Sequence, residues 1–102
     1  MRKLFLFLLM ICLLGEGLVA QEKFTFNGYI KDSLTGETLI GANLNIRSEG
    51  KGIVSNQYGF FSITLKKSSY LITCSFIGYQ TKEVIVRLAD NIQQNILLLP
   101  NT

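Results

Sequence analysis

Residues 50–63 read GKGIVSNQYGFFSI, with three glycines, a lysine between two of them and a closing Phe-Phe pair. Two folds compete for this stretch. A phosphate cradle would place it in an α/β unit, and sheet corners would place it in an all-β domain. A Walker-type loop needs two glycines spaced by four residues, then Lys and Ser or Thr, between a strand and a helix. Gly50, Lys51 and Gly52 lack that spacing, and no helical pattern follows them. A dinucleotide fingerprint needs a third glycine in register and a βαβ unit, and neither is present. The corner reading asks for less. Gly50 and Gly52 are expected to relieve the backbone where a turn needs positive φ. Asn56 and Gly59 bracket NQYG, occupying the first and last places of a β-turn that favour them. Phe61 then enters the core.

The flanking sequence has a period of two. FTFNGYIKD sets Phe24, Phe26, Gly28 and Ile30 against Thr25, Asn27, Tyr29 and Lys31, as in a half-buried strand. SLTGE supplies a turn. TLIGANLNIRS puts Ala42, Leu44 and Ile46 on one side, and FFSITLKK does the same with Phe61, Ile63 and Leu65. YLITCSFIG aligns Tyr70, Ile72, Cys74 and Phe76, and TKEVIVRL aligns Val84, Val86 and Leu88. IQQNILLLP is read as one closing strand with Ile96 and Leu98 inward, and Pro100 stops the ladder. With IVSN as a further short strand, about seven strands, roughly 8–12 residues apart, predict an all-β sandwich or barrel.

The chain has 102 residues, room for one domain. Its first twenty read as an export signal: Arg2 and Lys3, an apolar run from Leu4 to Leu14, then Gly15–Gly17 and a small-residue exit at Ala20. That run is too short to span a bilayer of about 30 Å. The expected division is a signal peptide over 1–20 and one β-domain over 21–102. Without the leader, eight basic and six acidic residues remain, scattered along the chain. A nucleic-acid binder would cluster its basic residues, so no nucleic-acid partner is expected.

Histidine is absent, which removes the commonest general base and zinc ligand. Cys74 is the one cysteine beyond the leader. It can form no internal disulfide, and its apolar neighbours mark it as a small buried hydrophobe. Asp32 and Glu37 bracket one turn and read as turn caps rather than as a calcium or glycosidase pair. No catalytic, cofactor or metal residue is expected. Tyr29, Tyr58 and Tyr79 fall at turns or on polar faces; they either pack back on the sandwich or offer stacking surfaces to a sugar.

Taken in order, GYIKDSLTGETLIGANLNI, KGIVSNQYGFFSITL and YLITCSFIGYQTKEVIV resemble the carboxypeptidase-regulatory-like domain. That domain opens many TonB-dependent outer-membrane receptors of the starch-utilisation type in Bacteroidetes-like bacteria. The resemblance rests on Gly28, Asp32, Thr35-Gly36-Glu37, Leu39 with Gly41-Ala42, and Lys51-Gly52. It continues through Asn56 with Gly59 and Phe61, and Ser75 with Gly78-Tyr79, covering residues 24 to about 99. It implies a seven-stranded transthyretin-like (prealbumin-like) β-sandwich in which these are structural motif residues. It also implies a non-enzymatic, exported accessory module, periplasmic or outer-membrane associated, that meets the plug and barrel of a receptor or other envelope proteins. No plug or barrel sequence follows Thr102, so the chain is expected to be a receptor fragment or a free module. The alternative is a free secreted carbohydrate- or surface-binding sandwich that uses the three tyrosines.

Overall fold

A computed structural model describes Lys3 and residues 21–101. The expected signal peptide therefore lies outside the described residues, Lys3 apart. Eight strands follow in order: β1 (Lys23–Asp32), β2 (Asn43–Ile46), β3 (Lys51–Val54), β4 (Phe60–Lys66), β5 (Ser68–Ser75), β6 (Lys82–Leu88), β7 (Ile92–Gln93) and β8 (Ile96–Leu98). They form two four-stranded sheets. One has the order β4-β1-β7, with β8 also pairing β1; the other has the order β3-β2-β5-β6. The chain crosses between the sheets from β1 to β2, β3 to β4, β4 to β5 and β6 to β7, and the β4–β5 crossing is the single residue Lys67.

The period of two has the expected consequence. Inward residues of both sheets meet in one core that includes Phe26, Ile30, Leu44, Ile46, Phe61, Ile72, Cys74, Leu88, Ile96 and Leu98. The inward glycine of β1, Gly28, lies opposite Phe61 of β4. Phe26 meets Phe61 edge-on, with ring centroids 5.1 Å apart at 63°, a favoured aromatic geometry. No buried side-chain polar atom is orphaned among the described residues.

Three expectations need correction. The closing segment is two strands, not one, so the described residues hold eight strands where seven were expected. β7 and β8 both run parallel to β1 in one register, but the ladder breaks at Gln94 and Asn95. At the break Asn95 Oδ1 accepts the Tyr29 N–H at 3.0 Å, and just before β7 Asn91 Oδ1 accepts the Thr25 N–H at 2.9 Å. These side chains do work that backbone carbonyls do in an unbroken strand. The second correction concerns TLIGANLNIRS, whose ladder begins only at Asn43. Gly41, at φ 79°, bends the chain just before it, a conformation that glycine adopts readily. The third is Gly52. It has no positive φ and is a β3 residue paired with Asn45. Gly50, at φ 60°, is the turn residue and caps a three-residue 3-10 turn over Arg47–Glu49. GKG is thus the corner entering an edge strand, and Lys51 pairs with Ile46 in that strand's ladder.

Candidate functional site: the corner joining Asp32 to Tyr79

β1 ends at Asp32, where the chain must reverse. The Asp32 main chain closes the turn: its N–H donates to Glu37 O at 2.8 Å and its carbonyl accepts Gly36 N–H at 2.9 Å. Gly36 meets the turn at φ 77°. The side chain then stabilises the same turn, because a carboxylate can accept N–H groups two and three residues on. Oδ1 accepts Leu34 N–H at 2.7 Å and Thr35 N–H at 3.0 Å. Oδ2 accepts the Tyr79 hydroxyl at 2.7 Å, across 47 residues of sequence. The Tyr79 ring packs on Phe76 at 5.6 Å.

The carboxylate is buried, and its charge is held by these donors. The Tyr79 hydroxyl bond, and then the Thr35 and Leu34 N–H groups, pull its pKa below the ordinary 3.8. The same bond raises Tyr79 above the ordinary 10.0. The folded pKa of Asp32 is depressed, so its contribution is present above the carboxylate range and lost as pH falls through the folded value. Tyr79 has a raised folded pKa. Its contribution is present below 10.0 and lost as pH rises through that raised value. Thermal melts should therefore show Tyr79→Phe less stable than the parent near neutral pH. The gap should narrow both in acid well below pH 3.8 and in alkali well above pH 10.0. A gap constant across that range would mean that the hydroxyl does not hold the carboxylate.

The corner also holds residues 98–101. Gln80 N–H donates to Leu99 O and Asn101 N–H donates to Gly78 O, both at 2.8 Å, while Tyr79 bridges to Pro100. Ser33 N–H donates to Leu98 O at 2.9 Å. Gly78 serves this exchange at φ 89°. The structure therefore brings Asp32, Gly36, Gly78 and Tyr79 together around the path by which the polypeptide leaves the sandwich.

The other motif residues continue the same hydrogen-bonded belt inward. Ile30 donates to Gly59 O at 2.9 Å and accepts from Leu39 N–H at 2.8 Å. Gly59 also closes the NQYG turn, donating to Asn56 O at 2.9 Å, while Asn56 Oδ1 accepts from Tyr58 and Phe60 N–H. Ser55 links the belt to β2. Its buried hydroxyl donates to Leu39 O at 2.6 Å and accepts Ala42 N–H at 2.9 Å, and its carbonyl accepts Gly41 N–H. Sequence reasoning missed Ser55. The available signal was a small polar residue at an inward place in the alternation, after Ile53. Gly28 and Gly52 lie in strands, away from this exchange.

Among the described residues no three His, Cys, Asp or Glu side chains gather as a metal set. Cys74 is free and fully buried, and burial pushes its thiol up to about 11, so the reactive thiolate is suppressed. The three tyrosines do not act alike. Tyr79 has both ring and hydroxyl engaged, which corrects its candidacy as a sugar contact. Tyr58 is exposed on the NQYG turn. Tyr29 lies on the outer face of β1 beside Phe60, centroids 5.4 Å apart, with Lys31 Nζ 5.8 Å from its ring.

Residues 26–102 match the family model described as the CarboxypepD_reg-like domain. The chain is 35% identical over 81 residues to the TonB-dependent receptor SusC of Bacteroides thetaiotaomicron, covering 79% of this chain and 8% of the receptor. It is 32% identical over 89 residues to the TonB-dependent receptor P3 of Formosa agariphila, covering 87% of this chain and 8% of that protein. In fold it is similar to the shaft pilin SpaA of Lactobacillus rhamnosus, at TM-score 0.66 and 17% identity, over 79% of this chain and 48% of the pilin. The chain thus matches a small part of the length of the curated relatives.

Proposed function

The chain belongs to the CarboxypepD_reg-like domain family, and from that premise we propose that it is a non-catalytic accessory module of a TonB-dependent outer-membrane nutrient receptor. The module forms the receptor's N-terminal extension on the periplasmic side. Two relatives named as TonB-dependent receptors support this reading, each matched over 8% of its length. Residues 1–20 then act as the export signal, and residues 21–102 form the folded domain. The partners are proteins: the plug and barrel of the same receptor, and envelope proteins that meet the sandwich.

One observation carries the mechanism. The family residues Asp32, Gly78 and Tyr79 fasten residues 98–101 to the sandwich. Polypeptide that continues past residue 101 leaves from a fixed corner rather than from a frayed end. The module therefore serves as a folded spacer that holds its orientation to the segment behind it. A carboxylate saturated by its own chain and a buried, protonated thiol support the non-enzymatic reading.

The nucleotide sequence beyond the codon for Thr102 tests this. A plug and barrel in a forward frame supports the receptor reading. A stop followed by an unrelated gene replaces it with the free module. Tyr29 on the outer face of β1, stacked beside half-buried Phe60 with Lys31 near its ring, favours a surface- or glycan-binding role for that second case. Glycan binding lost in Tyr29→Ala would establish it.

A further inference from the structure

We propose that β6 pairs edge to edge with β6 of a second copy of this chain, antiparallel and centred on Ile85. β6 is the last strand of its sheet and bonds to β5 on one side. Among the described residues no strand pairs with its other side, from Lys82 to Leu88, and beyond the β5 ladder its one backbone bond is Ala89 N–H donating to Arg87 O at 3.1 Å. It is seven residues long and contains neither glycine nor proline. Such an edge is a template for another strand unless something blunts it.

The outward side chains decide the partner. Val86 and Leu88 are buried, so Glu83, Ile85 and Arg87 face out, and Ile85 is 79% exposed. A two-fold pairing centred on Ile85 sets each Glu83 against the Arg87 of the other copy. It sets Ile85 against its own copy. Leu71, half exposed and directly opposite Ile85 in β5, extends that apolar row across the joined sheets. Among the described residues neither Glu83 nor Arg87 has an ion-pair partner, and their β5 neighbours are Thr73 and Ser69. Opposite charges directly across a strand pair are stabilising, and like charges are not. Moving the centre by one residue sets Ile85 against Glu83 or Arg87 and loses both ion pairs, so the charges fix the register.

The other edges lack this complementarity. β3 has four residues and includes Gly52. β4 presents Phe60, Ser62, Thr64 and Lys66, a single sign of charge. The β7–β8 edge is broken at Gln94 and Asn95.

Sedimentation of the full chain, expressed with its own leader and purified, tests the pairing. The expected result is a monomer–dimer equilibrium. Glu83→Arg or Arg87→Glu should each weaken it by about tenfold, because two attractive cross-strand pairs become repulsive. The double reversal should restore it, and an equimolar mixture of the two single variants should form a heterodimer. As a second measurement, Ile85→Cys should give a disulfide-linked dimer on mild oxidation, with buried Cys74 left out of the link. A parent that stays monomeric overturns the proposal. So does a dimer indifferent to both charge reversals, or an oxidised Ile85→Cys variant that stays unlinked.

Discussion

Phe61→Ala is expected to cost the domain about 3–5 kcal/mol, the usual range for emptying a buried aromatic site. The ring is 2% exposed and meets Phe26 edge-on at 5.1 Å. Its place is over-determined: the NQYG turn sends the chain into β4, and register sets Phe61 opposite Gly28. A glycine there offers no side chain to fill the hole that alanine would leave. Domains hold roughly 0.05–0.15 kcal/mol per residue, so this loss would consume much of the stability of about eighty folded residues. Urea unfolding followed by far-ultraviolet circular dichroism measures it. Phe61→Leu should lose less, since most of the volume remains. A loss under about 1 kcal/mol for Phe61→Ala would remove Phe61 from the core.

Gly28→Ala should be the other severe change, for the opposite reason. A Cβ at Gly28 would lie 2.0 Å from Gln94 O and 2.6 Å from Gln94 C. Both atoms are backbone, so no flexible side chain can swing aside. The methyl would lift the break between β7 and β8 off β1 and strain the bond from Gln94 N–H to Asn27 O. The expected cost is about 3 kcal/mol, the upper part of the range for overpacking. Gly52→Ala is the control. Its Cβ would meet only Leu44 O, at an ordinary 3.7 Å, and no positive φ resists it. A compatible Gly→Ala change stabilises by about 0.4–1 kcal/mol through the unfolded chain. The two alanine substitutions should thus differ in sign, and equal costs would contradict the packing described.

Much of this architecture was legible in the residues. Period two placed Ile72, Cys74, Val86, Ile96 and Leu98 inward, because alternation across a strand is geometric rather than statistical. NQYG announced its own turn through Asn56 and Gly59. The break at Gln94 and Asn95 was not legible. It depends on the Asn95 amide replacing a backbone acceptor, and on an absent side chain at Gly28, 66 positions before Gln94, in β1. Gly52 misled because a glycine beside a turn looks like a turn residue until φ is known. At the corner, Asp32 was legible as a cap, but its bond to Tyr79 spans 47 residues and has no local signal. Ser55 was silent for a similar reason: a buried hydroxyl gains meaning only when the chain it bonds, Leu39 to Ala42, has been folded against it.

The central claim is that this sandwich is the accessory head of a larger outer-membrane receptor. An antibody against the folded domain, used on fractionated cell envelopes, tests it most directly. The account predicts a band many times larger than the 11.4 kDa of this chain, travelling with the outer membrane. A band at or below 11.4 kDa, released with the soluble periplasmic fraction, would contradict it.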